Sequence, residues 1–389
     1  MVADVIVVGT GVMGASVAFH LAERGIDTLV VDRDGPAAGS TARSGALIRC
    51  HYPTVLEADL AWESLTDYFE LWGERVGGGC GFTQTGFAFL ASSEDSSAVK
   101  SNVAMLREHV GIDTELVSPA ELNEIDPALE TGDVVTAAYE PRSGYADPSA
   151  TTISLLRAAQ DFGAQFKKHG VVSLVERGNR ILGVKTEDKL LECQAVVLAA
   201  GAWSTPLAAS IGLELPIRAA RVQVALFERP YSLPTHLTMI DAATHAYSRP
   251  TADHCTLVGS RTAERQWLED PDGCDPEPDA EFVEQAGKRV GRRIPQLRGA
   301  PYRSGRAGVL DMTPDDRPIL GPEGPDGLYL SVGWSGAGFK KAPAVGAELA
   351  RWVSDGTPRR EELTCYNLAR FEKGNLIRGE HEYSSTGPH

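Results

Sequence analysis

Hydrophobic positions along this chain change period in an ordered way. At residues 5–8 the run Val-Ile-Val-Val is continuous and β-branched, as in a strand buried on both faces of a parallel sheet. A helical period follows over 12–23, Gly25 stops it, and a second apolar run at 28–32 ends in Asp32. That order predicts a βαβ unit. Leu56, Leu60, Leu65, Phe69 and Trp72 predict an amphipathic helix over 54–76, ended by Gly77-Gly78-Gly79. From 82 to 141 the texture changes to strand-like pieces at 85–90 and 134–139 around a helix at 96–110, with a helix start at Ser118-Pro119. Helix 150–162 leads back into strands near 165–166, 171–177, 181–186 and 190–193, and a further buried strand begins at Ala195. Segments 216–228 and 239–259 read as strands, 270–279 as an acidic, proline-rich loop and 281–293 as a helix. The last pattern is a strand at 328–332, a glycine-rich bend and a helix over 342–353.

Two bends carry the chemistry. In Gly9-Thr10-Gly11-Val12-Met13-Gly14, Gly9 makes the tight turn, Gly11 removes a side chain where a pyrophosphate must approach, and Gly14 lets helix and strand pack closely. The helix start at Val12 and Met13 points free N–H groups and a positive dipole end at phosphates. Such a turn alone is common, but here a strand precedes it, a helix and strand follow, and an acid stands 23 residues beyond Gly9. Asp32 suits a ribose diol, hence FAD or NAD rather than NADP, and Arg33 follows it. In the small, hydroxyl-rich stretch 35–49, Ser40, Thr41, Arg43 and Ser44 either contact the pyrophosphate or belong to a flexible surface loop. The turn holding Ala200, Gly201 and Trp203 lets a second backbone segment approach the nucleotide. Gly333-Trp334-Ser335-Gly336-Ala337-Gly338-Phe339-Lys340 repeats the strand, bend and helix, aiming a second helix dipole that would stabilise a reduced flavin.

With 389 residues, 42% of them hydrophobic, the chain can bury a large core and form about two domains. Its 37 basic and 53 acidic residues give a net charge of −16, which argues against nucleic acid or an anionic membrane as partner. Six scattered cysteines without a Cys-x-x-Cys pair suggest neither a zinc site nor a disulfide framework. No apolar run reaches the roughly 18 residues of a membrane span, and the first strand begins at once, so a leaderless cytoplasmic protein is expected.

The N-terminal glycine motif, Ala199-Ala200-Gly201-Ala202-Trp203, Thr313-Pro314-Asp315-Asp316 and the 333–340 bend together resemble the D-amino-acid oxidase/sarcosine oxidase family of FAD amine oxidoreductases. The resemblance covers nearly the whole chain. It implies an α/β fold: a Rossmann-like, glutathione-reductase-type FAD domain from 1–81, 142–215 and 306–389, with an inserted α+β antiparallel-sheet substrate domain from 82–141 and 216–305. It implies FAD contacts at Gly9, Gly11, Gly14, Asp32, Ser40, Val172 and Gly338, and Arg306, Gly333, Gly336, Ala337 and Phe339 join that candidate set. Arg49, in Leu47-Ile48-Arg49, matches the arginine that binds the substrate carboxylate, a task suited to a planar guanidinium. Lys340 matches the lysine that assists it, and Tyr247 an active-site tyrosine. Plainer readings stand beside these: a salt bridge for Arg49, a surface or cofactor contact for Lys340, a core aromatic for Tyr247. His51 is either a proton acceptor or polar packing.

The departures from the family pattern matter. Segment 306–316 contains no cysteine, so FAD is expected to be noncovalent. The pattern would place an oxygen-activating lysine at Leu257 and a histidine at Arg261, which leaves the acceptor open between O2 and another, and makes Arg261 a candidate anion contact. The expected reaction is hydride transfer to flavin N5 from the C–H beside the neutral nitrogen of a small carboxylate-bearing amine, giving an imine that hydrolyses. The alternative is an FAD subunit of a multicomponent amine dehydrogenase that passes electrons to a partner subunit or quinone. A homo-oligomer, an NAD-binding module and a flavoprotein kept for assembly are further readings.

Overall fold

The computed structural model describes residues 2–261 and 265–383. At its centre is a six-stranded sheet in the order Ile319–Pro322, Leu328–Val332, Ala195–Leu198, Val5–Val8, Thr28–Asp32, Gln165–Lys168. All neighbours are parallel except Ile319–Pro322, which runs antiparallel to Leu328–Val332. Val5–Val8 lies between Ala195–Leu198 and Thr28–Asp32, with Ile6 opposite Val196 and Leu29. Because side chains alternate across a strand, Val5, Val7, Val30 and Val197 join one core with the helices Val12–Glu23, Pro148–Asp161 and Ala342–Asp355. Ile6, Val8, Leu29, Val31, Val196 and Leu198 join another, covered by the antiparallel strands Val171–Glu176, Ile181–Thr186 and Leu190–Glu192. Burial on both faces is why these runs are continuously apolar.

A nine-stranded sheet forms the second layer, in the order Gln266–Leu268, Arg218–Glu228, Cys255–Ser260, Ala246–Pro250, Thr238–Asp241, Phe87–Ala91, Thr136–Glu140, Glu115–Val117, with Tyr302–Met312 along Arg218–Glu228. It is antiparallel except where Thr238–Asp241 meets Phe87–Ala91. The helix Ala280–Arg293 packs on this sheet through Ala286 and Val290.

Two expectations change. The helix predicted over 54–76 is Val55–Glu63, a π-helical turn Ser64–Phe69 and a short helix Trp72–Arg75. Ser64 at the start of the wide turn accepts the Ala344 N–H on its Oγ at 3.1 Å, joining this segment to the helix Ala342–Asp355. The eleven-residue strand Tyr302–Met312 and the short strand Ile319–Pro322 were not legible in the periodicity. Residue 306, expected as a domain boundary, lies within the first of these.

Candidate active site

The first glycine bend is built by close approach. A Cβ on Gly9 would stand 2.5 Å from the Ala199 carbonyl oxygen, and one on Gly14 would stand 1.9 Å from the Gly9 carbonyl. Only hydrogen fits in either place, so strand, turn and helix pack at backbone distance. Gly11 caps the helix Val12–Glu23 without a side-chain bond, and Val12 N donates to Thr41 Oγ1 at 3.1 Å, which draws the hydroxyl-rich loop over the helix start. Asp32 Oδ2 accepts from Thr10 N at 2.7 Å, while Oδ1 accepts from Asp34 N and Gly35 N at 2.8 Å, so the carboxylate is oriented at the strand end.

A cavity of about 580 Å³ runs from this bend to the second one, within the roughly 300–1,000 Å³ of small-molecule sites. At the Asp32 end its walls include Gly9, Gly11, Val12, Met13 and Arg33. Ser40, Thr41, Arg43 and Ser44 line its flank, and Val172, Ala200, Gly201 and Trp203 close the opposite side. The far end is formed by Gly336, Gly338 and Phe339.

Five proposed cofactor residues do not line this cavity. Gly14 faces the strand, Gly333 backs onto Thr313, and Ala337 is buried in the helix core. Arg306 lies beside Tyr247 and donates to the Ser44 carbonyl at 3.4 Å, and Lys340 turns toward Tyr52. Walls that the periodicity did not reveal come from 271–276 and 307–311. Among them Asp311 is buried, accepts the Gly333 N–H at 2.7 Å, and has its carboxyl pushed up by burial to about 6.

Beyond Phe339 the next residue enters a second, cationic neighbourhood. The Tyr52 ring has Arg49 at 4.3 Å, Lys341 at 4.5 Å and Lys340 at 5.8 Å. Lys341 is neutralised by Glu57 at 2.6 Å, and Arg317 pairs with the same carboxylate at 2.7 Å. Lys340 has neither hydrogen bond nor ion pair among the described residues, and burial, then Arg49 and Lys341, hold its amine well below the usual lysine range. Arg49 donates to the His51 carbonyl. Phe87 and Phe89, on one face of a strand, form the floor: Arg49 lies 5.9 Å from Phe87, and Arg261 5.8 Å from Phe89. His51 is buried against Phe89, and burial together with Arg49 and Arg261 pushes its imidazole down to about 3. Thus Arg49, His51, Arg261 and Lys340 are brought together, with His51 as a neutral ring. Tyr247 borders the same cluster, its ring where side chains on Gly45 and Gly259 would stand, and burial raises its hydroxyl to about 12.

The family model described as FAD dependent oxidoreductase matches residues 4–352. The chain belongs to the FAD-dependent oxidoreductase family. Over 385 residues it is 26% identical to the mitochondrial sarcosine dehydrogenase of Mus musculus, a match covering 95% of this chain and 41% of that protein. The chain therefore spans less than half the length of that relative. It is also 26% identical over 386 residues to sarcosine oxidase subunit beta of an Arthrobacter species, covering 96% of this chain and 92% of that one. L-proline dehydrogenase from P. horikoshii has the same fold, with a TM-score of 0.89 at 28% identity, covering 96% of this chain and 99% of that one.

As a member of this family the chain is an FAD flavoprotein, and its residues fit that cofactor. The side-chain-free approach at Gly11, the uncapped helix start and the oriented Asp32 carboxylate suit a pyrophosphate and its ribose, and the elongated cavity suits a dinucleotide. Among the described residues, no helix of this family member is long and apolar enough to cross a membrane.

Proposed function

We propose that this FAD-dependent oxidoreductase oxidises the C–N bond of a small amine that carries a carboxylate, such as an N-alkyl amino acid or a cyclic imino acid. The carrying observation is the pair of buried basic groups, Arg49 and Lys340, at the Phe339 end of the cofactor cavity, with Lys340 in no ion pair among the described residues. Buried charge without a partner is costly, and an arriving carboxylate supplies the partner. The sarcosine- and proline-oxidising relatives support an amine with a carboxylate nearby.

FAD, noncovalently bound along the Gly11–Gly338 cavity, supplies the hydride acceptor. Arg49 takes the carboxylate in a bidentate grip, which orients the substrate C–H, and Lys340 Nζ adds the second charge. Phe87, Phe89 and Tyr247 keep water from the reacting centre. His51 does not serve as a base in this reading, because its ring stays neutral with little affinity for a proton.

A second reading, in which electrons pass to a partner subunit or quinone rather than O2, is favoured by Leu257: an apolar, fully buried side chain stands where the family pattern would put a lysine. Near full-length similarity to a protein named as a subunit points the same way. Anaerobic mixing of the purified yellow protein with sarcosine, proline and N-methyl amino acids should bleach the flavin, while the corresponding amines without a carboxylate should bleach it at least tenfold more slowly. Equal rates with and without the carboxylate would remove the chamber from the proposal. Readmitting air, and then an artificial dye, separates oxidase from dehydrogenase by peroxide yield.

A further inference from the structure

Residues 377–383 return to the cationic neighbourhood around Arg49 and His51. Ile377 N donates to Asp315 Oδ2 at 3.1 Å and Glu380 N to the Pro53 carbonyl at 2.7 Å, which ties the segment to the residues that follow His51. There Tyr383 stacks on Phe89 with ring centres 4.6 Å apart, and its hydroxyl meets both Asn102 Nδ2, at 2.8 Å, and His51 Nε2.

The direction of these hydrogen bonds follows from counting donors and acceptors. Asn102 Nδ2 also reaches the His381 carbonyl at 2.9 Å, and a carbonyl can only accept, so the amide nitrogen is fixed on that side. Nδ2 is a donor, hence the Tyr383 oxygen accepts from it. Among the described residues His51 Nε2 is the one acceptor beside the Tyr383 hydroxyl, so donating its proton there leaves the fewest buried groups unpaired, and Nε2 accepts it. A neutral imidazole that accepts at Nε2 carries its proton on Nδ1. His51 is 1% exposed, and its Nδ1 is buried with no hydrogen-bond partner among the described residues. A buried N–H left without an acceptor is uncommon and costs free energy until one arrives.

Taking the proposed function as its basis, we infer that His51 Nδ1–H is a further donor to the substrate carboxylate, and that Tyr383, held by Asn102, is the positioning residue that fixes this tautomer from the C-terminal segment. His51 thereby acts in binding, next to Arg49, and Tyr383 acts through His51 without touching the reacting atoms.

The test uses the FAD-loaded protein and acetate as probe, measured by calorimetry, with the His51 tautomer read by nitrogen NMR of histidine-labelled protein. The unaltered protein should show a neutral His51 protonated at Nδ1. Loss of one hydrogen bond to a charged group is worth roughly tenfold in affinity, so His51→Leu should weaken acetate by about that factor, and Tyr383→Phe by less, in proportion to the fraction of His51 no longer protonated at Nδ1. Tyr383→Phe keeps the wall and removes only the hydroxyl, and its His51 signals should shift toward a tautomer mixture. His51→Asn, whose amide nitrogen can stand where Nδ1 stood, should recover most of the affinity. A His51 protonated at Nε2, or acetate bound equally by His51→Leu, would overturn the inference while leaving the carboxylate chamber in place. Failure of acetate to bind the unaltered protein would remove the chamber and the inference together.

Discussion

Lys340 stands where an ammonium is costly to keep: buried, beside Arg49 and Lys341, and without an ion pair among the described residues. Burial is the largest cause of its lowered pKa, and the two neighbouring cations add to it. A carboxylate entering the chamber favours the charged form and raises that pKa again. Binding should therefore draw a proton onto Nζ, and the affinity for acetate should fall as pH rises above the lowered value. Calorimetry in two buffers of different ionisation enthalpy should record the uptake, and Lys340→Met should abolish most of it, since Lys341 already has Glu57. Uptake unchanged in Lys340→Met would assign the proton to another group. Arg49, His51 and Lys340 were legible because each sits in or beside a short motif. Tyr383 was not: it is a single aromatic beyond the last helix, and its place at His51 depends on where the segment lands, which no local period encodes.

Single elements of this fold are joined by charge as well as by apolar packing. Glu57, in the first turn of the helix Val55–Glu63, receives Lys341 from the entrance of the helix Ala342–Asp355 and Arg317 from the loop after the strand Tyr302–Met312. One carboxylate serves two cations. Burial alone would raise Glu57, but Lys341 and Arg317 outweigh it and draw the group down to about 2, whereas burial outweighs Glu57's help to Lys341 and leaves that amine at about 8. Since the folded value of Glu57 lies below its ordinary 4.5, its contribution is complete above that pH and is lost as pH falls from 4.5 toward 2, about 3 kcal/mol in all. Glu57→Gln would strand two buried cations, so urea unfolding at neutral pH should show a loss of about 3–5 kcal/mol, with a flatter acid limb. A midpoint unmoved by the change would mean that apolar packing alone holds the three elements. The same region shows why periodicity misled: an amphipathic pattern continues through the π turn at Ser64–Phe69, so the pattern could not mark the break. In Tyr302–Met312 the interior Gly305 and Gly308 weaken a strand signal, yet Gly308 is needed there, because a Cβ would lie 2.8 Å from that of Arg43.

Over the whole molecule, the cofactor cavity lies between the C-terminal ends of the central parallel strands and the second layer, and this explains which walls could be read in advance. Both glycine bends belong to the parallel sheet, and each announces itself as strand, bend and helix. The remaining walls come from the second layer, from the strand Tyr302–Met312 and from the acidic segment near Asp272, and their residues carry no nucleotide-binding pattern of their own. Asp272 closes the Asp32 end from outside. Its carboxylate takes Arg33 at 2.8 and 2.9 Å and the Trp203 indole N–H at 2.8 Å, while Arg33 lies 5.7 Å over the Trp203 ring. The three side chains thus fasten the second layer to the strand end and turn that line the adenosine side of the cavity. Arg33 and Asp272 are both half-exposed, and an ion pair so placed contributes roughly 0–1 kcal/mol. Asp272→Ala should therefore leave folding nearly unchanged but speed the release of FAD by up to about fivefold at low ionic strength, followed as the rise in free-flavin fluorescence on dilution. Salt should shrink the difference, because screening at about 1 M shortens electrostatic reach to about 3 Å, so the unaltered protein at high salt should approach the variant. Equal release rates at low salt would show that the glycine cradle holds the nucleotide without help from the second layer.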